Sequence, residues 1–149
     1  MLFRSVRGEE LSTFSIAHDG RVIGTVVYRG VLRSGTVAVC FEQCVGETAV
    51  EAWVERFVAE QRWTGFISFD FIKDPSGVPW ALECNPRANS GVHFVEETSL
   101  AEALLEPSTT RALRFRPPGP GNWYQEQSSC TIPLGGQDRK STRLNSSHT

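Results

Sequence analysis

Nowhere in this chain of 149 residues do lysines and arginines gather into a stripe, and the formal net charge is -2. A polyanion therefore meets no electrostatic footprint, and nucleic acid is not an expected partner. No run approaches the ~20 apolar residues of a membrane span, and the opening MLFRSVRGEE lacks the apolar core of a secretory signal. The expectation is a cytoplasmic protein without a membrane partner. Cysteine is sparse as well: Cys40, Cys44, Cys84 and Cys130 form no C-x-x-C pair. They read as thiols in a reducing compartment, not as a disulfide framework or a zinc site. Also missing is any Ser/His/Asp or Cys/His arrangement with a local signature, so nothing points to a covalent nucleophile.

What remains is ordinary globular material, 40% hydrophobic and 21% charged, with room for one modest core. The last stretch, DRKSTRLNSSHT (138–149), is polar and without periodicity. It resembles the translation of a common sequencing adapter and is set aside as an artefactual tail. At the other end Met1 opens straight into a strand-like stretch, so the chain reads as a piece of something larger.

Between the ends, LSTFSIAH (11–18) and VIGTVVY (22–28) are rich in β-branched and aromatic residues and flank Asp19-Gly20. That dipeptide predicts a tight hairpin. A loop carrying Arg33, Ser34 and Gly35 leads to a third expected strand at TVAVCFE (36–42). The period then changes. In TAVEAWVERFVAEQ (48–61), Val50, Trp53, Val54, Phe57 and Val58 fall on one face of a helix. Thr48 and Glu51 fit a capping box at its start.

After Gly65 two strand patterns, FISFDFIK and VPWALECN, flank Asp74-Pro75-Ser76-Gly77, which has the chemistry of a turn. Side chains alternate along a strand. With four unpaired turn residues, Lys73 would face Val78, and Ile67, Phe69, Phe71, Trp80, Leu82 and Cys84 would form one apolar face against the helix. Cys84 is expected to be buried there. The opposite face would carry Asp70, Ala81, Glu83 and Asn85, with Glu83 diagonal to Asp70. Two carboxylates and an amide oxygen make a hard-ligand site suited to Mg²⁺. Pro86 ends the strand, so Arg87 would leave at the edge of the acidic face, ready to bind a carboxylate or phosphoryl oxygen or to bridge to Glu83. The following Ala-Asn-Ser-Gly reads as small and flexible, able to bring backbone N–H groups near an anion. His93 could titrate near neutrality, yet a lone histidine after a loop is more often structural.

Here GFISFDFIKDPSGVPWALECNPRANSG (65–91) closely resembles the metal-binding end of ATP-grasp enzymes, especially the carbamoyl-phosphate-synthetase-like group. RGEELSTFSIAHDGRVIG (7–24) is similar to the stretch just after the hinge between the two ATP-binding lobes. The resemblance covers about residues 3–104. It implies an α+β fold, an antiparallel sheet covered by helices forming the C-terminal lobe of an ATP-grasp domain (1–105). A Pro/Gly-rich extension of unknown role (106–137) and the tail (138–149) would follow. Asp70, Glu83 and Asn85 match the family's magnesium (or manganese) ligands, and Arg87 the arginine on the transferred phosphoryl group or acyl substrate. Glu10 matches the acid that binds the nucleotide ribose. Ile72 would pack against adenine, and Arg33 would face phosphate. The implied function is that of an ATP-dependent ligase joining a small carboxylate to an amine or related nucleophile through an acyl phosphate. ATP would be the co-substrate, and the chain alone, holding one lobe, is expected to be inactive. A non-catalytic nucleotide-binding or interaction module is the alternative.

Overall fold

The computed structural model describes residues 6–116 and the backbone of 123–125. Five long or medium strands and one short one form a single antiparallel sheet: β1 (Glu9–His18), β2 (Arg21–Ser34), β3 (Val37–Cys44), β4 (Gly65–Lys73), β5 (Pro79–Asn85) and β6 (Trp123–Gln125). Their spatial order is β5-β4-β1-β2-β3-β6. Helix α1 (Thr48–Gln61) joins β3 to β4, and a 3₁₀ turn (Ser90–Phe94) and helix α2 (Glu97–Leu105) follow β5. The expected α+β class, an antiparallel sheet covered by helices, is what forms.

Local chemistry explains the elements. Asp19 and Gly20 both take positive φ, 47° and 79°, as a two-residue hairpin loop matched to strand twist requires. In α1 the residues at helical spacing, Val50, Val54 and Val58, are fully buried, each contributing about 1.5–3 kcal/mol by area. With Trp53 and Phe57 they cover Leu11, Val27, Ile67, Phe69 and Phe71 on one face of the sheet. Trp53 meets Phe69 and Phe71 edge-on, with ring centroids 5.1 and 5.2 Å apart, the arrangement aromatic quadrupoles favour. The other face holds a second core of Phe14, Ile16, Ile23, Val26, Tyr28 and Phe41, covered by Phe94, Val95, Ala103 and Leu113. Residues 106–116 belong to that cover: Leu113 is buried, and its N–H bonds to the Ile23 carbonyl at 3.1 Å. The rest of the 106–137 extension (apart from the β6 backbone), the 138–149 tail and Cys130 lie outside the described residues. Among the described residues no helix is long and apolar enough to cross a membrane.

Three local expectations are corrected. Glu47, not Thr48, is the residue at the helix N-terminus, and no side-chain cap forms; the Glu47 carboxylate instead meets Lys73 Nζ at 2.6 Å. The loop placed at Arg33–Gly35 is shorter, because β2 runs on through Arg33 to Ser34 and pairs Arg33 with Ala38. The third correction concerns β5, whose register sets the candidate site.

Candidate functional site

Lys73 pairs with Pro79, not Val78, and the β4–β5 ladder slips again between Asp70 and Phe71. Close to the turn, Ile72 therefore faces Trp80 and Phe71 faces Ala81. Partners share a face, so Trp80 joins Asp70's side and Ala81 joins the phenylalanine side, the reverse of expectation. Past the irregularity, Asp70 faces Glu83, Phe69 faces Cys84 and Ser68 faces Asn85. Leu82, left between paired positions, is 60% exposed and contributes no core face. Cys84 keeps the expected side but is exposed. It lies on the outermost strand and is not part of the core that Val50, Val54 and Val58 of α1 form.

The second slip restores the parity of the candidate residues. Asp70 and Glu83 are directly opposite, not diagonal, an arrangement that puts Cβ atoms about 4.5–5.5 Å apart. Asn85 lies two positions along β5 on the same face. The register of β1 continues the row, with Ser12 opposite Asp70, and its hydroxyl donates to Asp70 Oδ1 at 2.7 Å. Asp70 and Asn85 are half-buried and Glu83 is exposed. No group of three or more His, Cys, Asp or Glu side chains able to hold a metal occurs among the described residues. The trio here offers two carboxylates and an amide oxygen, and two facing carboxylates repel unless a cation lies between them.

One step towards the hairpin, Glu10 faces Ile72, and Arg33 forms an ion pair with Glu10. The structure thus brings Glu10, Arg33 and Ile72 together beside Asp70 and Glu83. Ile72 is half-buried while Glu10, Arg33 and Trp80 are exposed. Among the described residues this end of the face is open, whereas the 3₁₀ turn and α2 close the end around Phe14 and Ile16.

Arg87 leaves β5 by a backbone held at both atoms: its N–H donates to the Asn85 carbonyl at 2.8 Å, and its carbonyl accepts from the Ser68 hydroxyl at 2.8 Å. Its exposed guanidinium reaches the Ala88 carbonyl at 3.4 Å. Among the described residues no ion pair joins it to Glu83, so the alternative bridge does not form. The Ala-Asn-Ser-Gly segment is docked instead of flexible. Asn89 Nδ2 donates to the Thr13 carbonyl at 3.0 Å and its Oδ1 accepts from the Gly91 N–H at 3.1 Å. A Cβ on Gly91 would come within 2.5 Å of Phe14 Cβ, so glycine is what lets the turn lie on the sheet. His93 is exposed within the same 3₁₀ turn.

Two groups escaped the sequence reading. Ser12 is invisible as a partner of Asp70 until β1 is paired with β4. Glu9, beside Glu10 but on the opposite face, is the centre of an ionic cluster with Arg29 at 2.7 Å and Lys73 at 3.0 Å. Those two cations hold its carboxyl below the usual carboxylate range, the Lys73 bond being the larger cause.

No protein-family profile and no curated protein sequence matches the chain. Among solved structures it is similar to an N5-carboxyaminoimidazole ribonucleotide synthetase in complex with ADP, at 13% identity over 63% of this chain and 26% of that one, with a TM-score of 0.45. It is also similar to the biotin carboxylase domain of a thermophilic 2-oxoglutarate carboxylase bound to bicarbonate, at 15% identity over 64% and 23% of the two chains, TM-score 0.49. An L-amino acid ligase from Bacillus licheniformis is similar at 15% identity over 58% and 24%, TM-score 0.43. The chain spans about a quarter of the length of each of these proteins. Partial superpositions of this kind say nothing of chemistry, which has to be read from the chain's own side chains.

Proposed function

We propose that the chain is the ATP- and magnesium-binding lobe of an ATP-grasp ligase, a protein that activates a small carboxylate as its acyl phosphate for attack by an amine or related nucleophile. The observation that supports this reading above all is the direct opposition of Asp70 and Glu83, with Asn85 on the same face, at a place where Glu83 is exposed among the described residues. The donor set is all oxygen, which suits Mg²⁺ held partly by protein and partly by nucleotide phosphates. Asp70, Glu83 and Asn85 would hold that ion, and the ion would supply charge neutralisation on the phosphates during transfer.

The chain's other residues take up the remaining work. Ile72 offers an apolar surface to the base, and Glu10 offers a carboxylate acceptor to ribose hydroxyls. Arg33, held next to Glu10 by their ion pair, lies where it can turn to a phosphate oxygen. Arg87 projects from a fixed backbone, so its planar fork can meet a carboxylate or the transferred phosphoryl group at a defined edge of the site. None of these roles needs a covalent nucleophile; positioning and electrostatics carry the chemistry.

The test is a magnesium-dependent titration of ATP into the isotopically labelled chain, followed by amide resonances. Perturbations are expected at Glu10, Ser12, Asp70, Ile72, Glu83 and Asn85, and the double substitution Asp70→Asn with Glu83→Gln should abolish their dependence on magnesium. Perturbations confined to the α1 face, or a response indifferent to magnesium, would overturn the assignment.

A further inference from the structure

We infer that Ser12 is a positioning residue for the metal-binding carboxylates, an inference that rests on the magnesium site proposed above. Ser12, Asp70 and Glu83 form one straight row across three neighbouring strands, because Ser12 pairs with Asp70 and Asp70 with Glu83. The Ser12 hydroxyl donates to Asp70 Oδ1 at 2.7 Å. Among the described residues no other hydrogen bond or ion pair fixes that carboxylate. Asp70 is half-buried on an inner strand, and its Oδ1 is engaged with β1. Its second oxygen is the one left to share an ion with Glu83 on β5.

A carboxylate with two free rotors would sample orientations that waste its charge on solvent. A hydroxyl clamped to one oxygen restricts that freedom before the ion arrives. Outer partners of metal ligands act in this way, and their loss typically lowers metal affinity by about 10–100-fold. Ser12 sits at the low end of that range, since its partner is only half-buried and water can replace part of the bond. The geometry also suits the residue type: a hydroxyl on a short side chain reaches the directly opposite neighbour, and Ser12 is itself half-buried.

The experiment uses the full chain with manganese(II) and ATP, reading paramagnetic broadening of the Asp70, Glu83 and Asn85 amides, which detects even weak sites. Ser12→Ala should require about tenfold more manganese for the same broadening. Ser12→Thr, which keeps the hydroxyl, should restore the original affinity, while its isostere Ser12→Val should not. Melting of the metal-free variants reports any purely structural effect separately, and the Thr/Val pair holds shape constant. Broadening in the unsubstituted chain with unchanged affinity in Ser12→Ala and Ser12→Val would overturn the role of Ser12 alone. Absence of broadening at these three amides in the unsubstituted chain would overturn the metal site and, with it, this inference.

Discussion

Asp74 closes the β4–β5 hairpin largely through its own side chain. Oδ1 accepts from the backbone N–H groups of Ser76 at 2.9 Å and Val78 at 3.0 Å and from the Ser76 hydroxyl at 2.5 Å, and Oδ2 accepts from the Trp80 indole N–H at 2.9 Å. The Ser76 hydroxyl first, then the indole, favour the ionised form and bring the carboxyl down to about 2. Because the folded value is depressed, whatever this carboxylate contributes to stability is present above its unfolded value of about 3.9 and is lost as pH falls through the folded value. The indole N–H resonance of Trp80 should therefore titrate with a midpoint near 2, and Asp74→Asn should remove that step. A midpoint near 3.9 would show that the loop donors do not hold the carboxylate. The same side chain explains a misread register. Asp-Pro-Ser-Gly was legible as a turn, but Asp74 also binds Val78 through both its side chain and its N–H, which donates to the Val78 carbonyl at 3.0 Å. Val78 is thereby drawn into the loop, and pairing starts one residue later than a count of turn formers gives.

At the scale of elements, α1 and β5 show what a sequence does and does not declare. The 3.6-residue period of Val50, Val54 and Val58 is a property of α1 alone, so its bounds and buried face could be read directly. A strand's facing depends on its partner. β5 slips by one residue at the turn and by a second between Asp70 and Phe71, and neither slip has a signature in VPWALECN. The two together restore parity, which is why Glu83 and Asn85 fall beside Asp70 as alternation suggested while Trp80 and Ala81 exchange sides. Edge position is equally silent in the sequence. The sequence pattern predicts a buried Cys84, and its side is right, but on the outer strand its side chain is left exposed. The edge itself is blunted by Pro79, the irregularity at Leu82, the charge of Glu83 and Pro86, devices that discourage pairing with another chain. Brief alkylation of the native chain with peptide mapping checks the correction: Cys84 should be modified while buried Cys40 is spared. Partial desolvation pushes the Cys84 thiol up, so the reaction should speed markedly above neutral pH. Protection of Cys84 to the extent seen at Cys40 would mean that the strand is covered after all.

Across the whole molecule, the two neighbours Glu9 and Glu10 divide the labour of the sheet's two faces. Glu10 turns to the open face with Arg33 and Ile72. Glu9 turns to the α1 face, into a chain of charges running Glu42–Arg29–Glu9–Lys73–Glu47. This chain ties β3, β2, β1 and β4 to the N-terminus of α1, where a carboxylate also complements the helix dipole. Composition could not reveal it, because it exists only once four strands are in register. Its side chains are between 19% and 46% exposed, so each pair is screened and individually weak; only their linkage makes the cluster matter to the fold as a unit. The signs of the shifts define where it acts. Lys73 and Arg29 depress Glu9, so its contribution is present above the unfolded value of about 4.3 and lost as pH falls through the lower folded value. Glu47 first, and then Glu9, raise Lys73, so its contribution is present below about 10.4 and lost as pH rises through the higher folded value. The melting temperature should accordingly hold a plateau between about pH 5 and pH 10 and decline on both sides. Glu9→Gln, which removes the central anion but keeps the shape, should lower that plateau and flatten the acid limb, and half-molar salt should narrow the gap between the two proteins by screening what remains. An acid limb of equal slope in both would mean that the loss of stability below pH 5 comes from other carboxylates and that the cluster does not act as one clasp across the sheet.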